Sequence, residues 1–154
     1  MAEPVRCPFR PLSRLCLCVL IIPPMTPHTH LSIDRRLVGE PLEIGEGTAV
    51  ASLVTTSEMA ADDRGLVHGG FVFGLADYAA MLAVNDPHVV LGGAEVRFTK
   101  PVRVGERLLA RAAVEEENGR RRGVAVQVLR GGEAVMAGTF VCFTLERHVL
   151  EDGR

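Results

Sequence analysis

The chain has no tryptophan and one tyrosine, and aromatics make up only 5% of its 154 residues. A core of stacked rings is excluded, so Val, Leu and Ala must build the interior, and valine favours sheet. An excess of either charge is also lacking: 17 Lys and Arg stand against 19 Asp and Glu, a formal charge of −2. No basic field follows from that balance, so nucleic acid is not an expected partner. Cysteine is scarce where it could cross-link. Cys7, Cys16 and Cys18 fall in the first eighteen residues, and only Cys142 lies in the patterned region. A disulfide framework is therefore excluded there, which fits a reducing cytoplasm. No apolar run is long enough to span a bilayer, so no membrane partner is expected. His28 and His30 form a His-x-His pair, but without Cys or acidic neighbours and in a segment expected to be mobile. Neither a metal nor a cofactor is expected.

A chain of this length holds one domain with a real core. Its first 24 residues differ from the rest. Arg6, Arg10 and Arg14 precede the apolar stretch Leu15 to Ile22, and Pro23-Pro24 follows. The outline is that of a signal peptide without a small-residue cleavage site. The simpler reading makes Met25 the true start and residues 1–24 a mis-called extension. Residues 25–46 read as an irregular entry segment, 47–146 as the folded domain and 147–154 as a tail.

Within the domain, Gly47 to Thr56 is β-prone, and Ser57 to Val67 reads as a loop. Ala94 to Thr99 alternates, with Ala94, Val96 and Phe98 on one face; Leu108, Ala110, Ala112 and Val114 repeat the pattern. Asn118-Gly119 signals a two-residue hairpin, placing Glu117 opposite Arg120, Glu116 opposite Arg121 and Glu115 opposite Arg122. That matching explains the arginine run without a ligand. Gly131-Gly132 marks a second hairpin, flanked by Arg130 and Glu133. The last strand, Ala134 to Leu145, is apolar on both faces, as suits a central strand.

Between the first strand and these hairpins lies one long apolar helix, from His68 to about Asn85, stopped by Asp86-Pro87. Asp77 is its only charge. A helix apolar all round is buried, and a lone carboxylate inside it is costly unless paired, hydrogen-bonded or protonated. Such groups are kept where an altered pKa is useful. One helix cannot cover a sheet of five or more strands on both faces. The expected class is α+β: an antiparallel sheet of five to six strands wrapped around one central helix, its outer face packed on another subunit.

The segment Asp62-Asp63-Arg64-Gly65-Leu66-Val67-His68-Gly69-Gly70, with Asp77 farther down the helix, resembles the hotdog-fold acyl-CoA thioesterases, in particular the phenylacetate-pathway type within the 4-hydroxybenzoyl-CoA thioesterase-like superfamily. Phe98-Thr-Lys-Pro-Val-Arg-Val-Gly-Glu106 is similar to that family's strand-turn segment, and the likeness covers roughly residues 47–145. Asp62 stands where the family has Asn or Gln, a side chain that positions the water or the carboxylate. An anionic Asp62 near Asp77 would repel it and raise one pKa.

The resemblance implies hydrolysis of an acyl-CoA thioester. Asp77 would act as general base or as nucleophile, the Gly69 N–H would bind the oxyanion, and Gly70 would support the turn. His68 is expected to bond the backbone at the helix start. Phe73 and Met81 share a face with Asp77 and would divide between core and acyl pocket. Arg97, Lys100 and Arg103 would either meet the phosphates of coenzyme A or merely solubilise an edge. Eight helical residues put about 12 Å between Gly69 and Asp77, too far for both to reach one reacting centre. The expected site is shared across a homodimer, itself able to pair into a tetramer. The rival class is a non-catalytic acyl-CoA binder or sensor of the same fold. A hydratase ranks last, because the nearest His after Asp77, His88, falls beyond the helix.

Overall fold

The computed structural model describes residues 23–151, so the expectations for residues 1–22 lie outside it. Six strands form one antiparallel sheet: β1 (Glu40–Gly45), β2 (Thr48–Val54), β3 (Val89–Phe98), β4 (Arg107–Asn118), β5 (Arg121–Arg130) and β6 (Glu133–Thr144), in the order β1-β2-β4-β5-β6-β3. A short helix α1 (Arg35–Val38) precedes β1, and the long helix α2 (Gly69–Val84) links β2 to β3. The sheet curves round α2, which is the expected hotdog arrangement.

Close approach of small residues explains a core with so few rings. Ala76, Ala79, Ala80 and Ala83 of α2 are buried, and so are Ala49 and Ala51 of β2 and Ala110 and Ala112 of β4. Cross-strand pairing puts Ala51 beside Ala110 and Ala49 beside Ala112, so one small-residue surface faces another. Larger side chains close the other half, with Val124, Val126 and Val128 of β5 and Met136, Phe140 and Cys142 of β6 all buried. Between β6 and β3 the backbones nearly touch. A Cβ at Gly138 would lie 2.2 Å from the Glu95 carbonyl oxygen, so no larger residue fits without parting the strands.

Three expectations need correction. The segment read as irregular, 25–46, contains α1 and β1, and β1 pairs with β2 as an edge strand. Its alternation is interrupted by Pro41 and a register shift between Pro41 and Glu43, which hid the strand. Nor does the His28–His30 stretch hang free. The backbone N–H of His28 donates to Asn85 Oδ1 at 2.7 Å, Asn85 Nδ2 donates to the Thr26 carbonyl at 3.0 Å, and the His30 ring lies 6.2 Å from Tyr78. Asn85 itself ends α2 in the left-handed conformation, φ 51°, its N–H on the Met81 carbonyl.

The third correction is one of register. Asn118 pairs with Arg121, Glu117 with Arg122 and Glu116 with Gly123, so the hairpin loop is Gly119-Arg120, one residue later than expected. Gly119 takes φ +56° and Arg120 does not take positive φ, a turn that needs glycine in the first loop position. The charges still find partners: Arg121 bonds Glu116 at 2.7 Å, Arg122 lies 3.7 Å from Glu117, and Arg120 pairs with Glu146 instead. The Gly131-Gly132 hairpin is as expected, with Arg130 opposite Glu133.

Candidate active site

The backbone fixes where α2 begins. The Val67 N–H donates to Val102 at 2.8 Å and the His68 N–H to Met59 at 2.9 Å, tying the helix start to the loop before β4 and to the turn after β2. Gly69 is the first helical residue, so its N–H has no acceptor within the helix. It forms part of a cavity of about 310 Å³ lined by Val67, Val72, Phe98, Thr99, Lys100, Pro101 and Val102. A Cβ on Gly69 would sit 3.4 Å from the Phe98 ring. A methyl there would rest in ordinary contact with the ring, so glycine leaves the helix start and the ring separated by that much more space.

His68 occupies the cap position, but its side chain makes no capping hydrogen bond. The expected backbone bond is thus not formed. The imidazole instead packs edge-on to Phe71, centroids 6.3 Å apart, and it fills the space where a Cβ on Gly70 would come within 3.0 Å.

Asp77 lies two turns farther on, half-buried, with Oδ1 enclosed and without a hydrogen-bond partner. Burial raises its pKa from 3.8 to about 6. Its surroundings are apolar: one turn earlier Phe73 stacks at 5.4 Å on Phe140 of β6. Two residues beyond Phe140, the buried thiol of Cys142 is pushed up to about 12, first by burial and then by the charge of Asp77.

Asp62 plays a different part within the chain. It is exposed, and its Oδ1 accepts the N–H groups of Arg64 at 3.0 Å and Leu66 at 3.1 Å, closing the loop ahead of α2. Burial alone accounts for the shift of Asp77, so the two carboxylates do not repel each other inside one subunit. Met81 is 1% exposed and belongs to the core, whereas Phe73 is half-buried beside Asp77.

The three basic residues separate. Lys100 lines the Gly69 cavity but is drawn to Glu133 at 3.4 Å. Arg97 follows Val96 and precedes Phe98, which share the sheet face of Met136 and Gly138, so it points to the opposite, outer face. Arg103 lines a second cavity of about 210 Å³ with Asp62, Arg64, Leu66 and Pro101. The sequence reading missed Val67, Val72, Thr99 and Val102 as cavity walls, Cys142 as the neighbour of Asp77, and Arg64. Phe98 carried a signal: an aromatic on the helix-facing side of an edge strand that stays 52% exposed.

The helix-facing side of β3 is poorly covered. Ala94 and Phe98 are exposed and Val96 is half-buried, whereas the equivalent positions of β2, β4 and β5 are sealed. Among the described residues no group of His, Cys, Asp and Glu could hold a metal ion, and no helix is long and apolar enough to cross a membrane.

The model of the thioesterase superfamily matches residues 64–137. An uncharacterized protein from Pyrococcus horikoshii is 55% identical, with a TM-score of 0.83 over 84% of this chain and 100% of that one. A mutant of the phenylacetic acid degradation protein PaaI from Thermus thermophilus is 30% identical, with a TM-score of 0.65 over 71% of this chain and 95% of that one. Two curated relatives are longer. A methylthioribose-1-phosphate isomerase from Aquifex aeolicus is 50% identical over 112 residues, 73% of this chain but 25% of that protein. The transcription factor FapR from Bacillus subtilis is 32% identical over 114 residues, 71% of this chain and 60% of that protein. The chain thus spans a quarter to three fifths of these two relatives.

Proposed function

Because the chain belongs to the thioesterase superfamily, we propose that it hydrolyses an acyl-CoA thioester to the free acid and coenzyme A. The observation that carries the reading is Asp77, a carboxylate with an enclosed, unpartnered oxygen and a pKa raised to about 6 on an otherwise apolar helix. A carboxylate kept only for structure is ordinarily paired or hydrogen-bonded. A base or nucleophile must be left free to meet its reactant, and a pKa near the working pH suits a base.

The Gly69 N–H supplies the second element, positive by position at the helix start and opening on the apolar cavity beside Phe98. In the reaction it would bind the oxyanion as the thioester carbon becomes tetrahedral. Asp77 would either take a proton from the attacking water or attack the carbonyl itself, and the coenzyme A thiolate leaves. About 12 Å of helix separates the two groups, so we assign each site to Gly69 of one subunit and Asp77 of a two-fold partner. The uncovered face of β3 supports this: a second copy docking there would shield Ala94, Val96 and Phe98 and bring its own helix alongside.

A second reading is a non-catalytic acyl-CoA sensor. It is favoured by the 32% identity to a transcription factor and by Asp62, whose carboxylate is occupied with loop closure. Thiol release from a panel of acyl-CoA esters, wild type beside Asp77→Asn, tests both. Turnover that collapses in the variant while ligand binding persists supports hydrolysis. Tight binding without turnover in either protein rejects it in favour of the sensor.

A further inference from the structure

We propose that Arg64 and Arg103 together form the seat for the phosphate groups of coenzyme A, a subsite that deepens, and rests on, the acyl-CoA reading above. Both arginines line one cavity of about 210 Å³, and its wall Pro101 also lines the Gly69 cavity. A ligand can therefore lie in both at once, with its thioester at Gly69 and an anionic end at the arginines. Arg64 and Gly69 are five residues apart, which limits their backbone separation to about 17 Å.

The backbone that carries the two side chains is itself held in place. Asp62 Oδ1 accepts two backbone N–H groups of the loop, the Val104 N–H donates to the Gly65 carbonyl at 2.9 Å, and Leu66 bridges to Arg103. These contacts fix the backbone on both sides of the cavity, so less freedom is lost when an anion is gripped. No ion pair to either guanidinium occurs among the described residues, which is also true of Arg97, Arg107 and Arg111, whereas Arg35, Arg36, Arg120, Arg121, Arg122 and Arg130 are held by carboxylates; Arg64 and Arg103 differ from the other three in sharing one cavity. Asp62 is the one acid in the cavity lining, so two positive charges face one negative. That imbalance suits a phosphate, and guanidinium forks match its oxygens in pairs. Exposed Leu66 adds an apolar surface at the same place. Lys100 is drawn aside by Glu133, and Arg97 is on the far side of the sheet.

The test compares one acyl group carried on coenzyme A and on pantetheine, which lacks the nucleotide. Arg64→Ala and Arg103→Ala should each lower the selectivity for the coenzyme A ester, the ratio of the two kcat/KM values, about tenfold as befits one charge-assisted contact. Arg64→Lys and Arg103→Lys should restore part of it, which separates lost charge from lost fold. Adenosine 3′,5′-bisphosphate should compete, and inorganic phosphate at the same concentration should not. An unchanged ratio in the alanine variants overturns the subsite. Equal competition by inorganic phosphate also overturns it, as it indicates a general anion site. If the wild type releases no thiol from either ester, the hydrolysis reading fails by itself. Calorimetry with coenzyme A then decides the subsite: weaker binding by the double alanine variant supports it, and equal binding overturns it.

Discussion

Replacing Asp77 by Asn should make the protein more stable as it removes activity, and the gain should depend on pH. The Asp77 carboxyl titrates near 6 in the folded chain, against 3.8 for the free side chain, because burial disfavours the charged form. The folded state therefore holds this proton to higher pH than the unfolded state does. Below about pH 4 both states are protonated and the buried group costs nothing extra; between pH 4 and 6 the cost grows; above 6 it is complete. A rise of two units corresponds to about 3 kcal/mol, which partial access of water to a half-buried group reduces to about 2. In a chain of this size that is a gain of about 4–8 °C in Tm.

Urea or thermal unfolding of both proteins at pH 4 and pH 8 reads the effect. The difference between the two pH values isolates the charge, because any cost of burying the amide is present at both. An Asn variant that gains nothing at pH 8 relative to pH 4 would refute the reasoning, since it would mean that the carboxylate is paired in the assembled protein. The same titration sets the activity profile. If Asp77 must be ionised to act, kcat/KM should rise with pH through about 6 and then level, and a profile flat from pH 5 to 8 would count against it.

Other expectations follow from particular contacts. Subunits carrying Asp77→Asn mixed with subunits carrying Gly69→Val should recover about a quarter of wild-type activity, because half the dimers are mixed and each holds one intact site of two. No recovery after unfolding and remixing would place both groups in one subunit. Gly138→Ala puts a Cβ 2.2 Å from the Glu95 carbonyl oxygen; we expect a loss of more than about 3 kcal/mol in denaturant titrations, at the severe end for a single methyl. Asn85→Ala removes both bonds to the entry segment and should cost about 1–2 kcal/mol, with amide exchange accelerated first at His28. The Cys142 thiol, held near 12, should resist thiolate-directed reagents at pH 8 until the protein unfolds, as read by mass mapping.

Much of this was legible in the sequence wherever side chains repeat with a period. The apolar run from Gly69 to Val84, the alternation of Ala94, Val96 and Phe98, and the glycine pair at 131–132 each state their own structure. So does Asp77, because a lone charge in an apolar helix has few roles open to it. What the sequence concealed depends on tertiary context. The edge strand β1 has no alternation to show once Pro41 and a register shift interrupt it. The hairpin loop slipped by one residue because the Asn-Gly signal puts glycine in the second loop position, whereas here Gly119 takes the first. His68 has the position of a cap, yet its ring is held by Phe71. Nothing in the sequence pairs Arg64 with Arg103, 39 residues away in the chain yet lining the same small cavity.

The entry segment has a practical consequence. Met25 donates its N–H to Ile44 and, with His28, borders the cavity at the Asn85 end of α2, while Gly69 is at the other end, about 24 Å away along a sixteen-residue helix. Within one subunit Met25 therefore lies at the end of α2 opposite the Gly69 cavity. A fusion trimmed to begin at Met25 would thus hold a subunit by the end of α2 opposite its own Gly69 cavity.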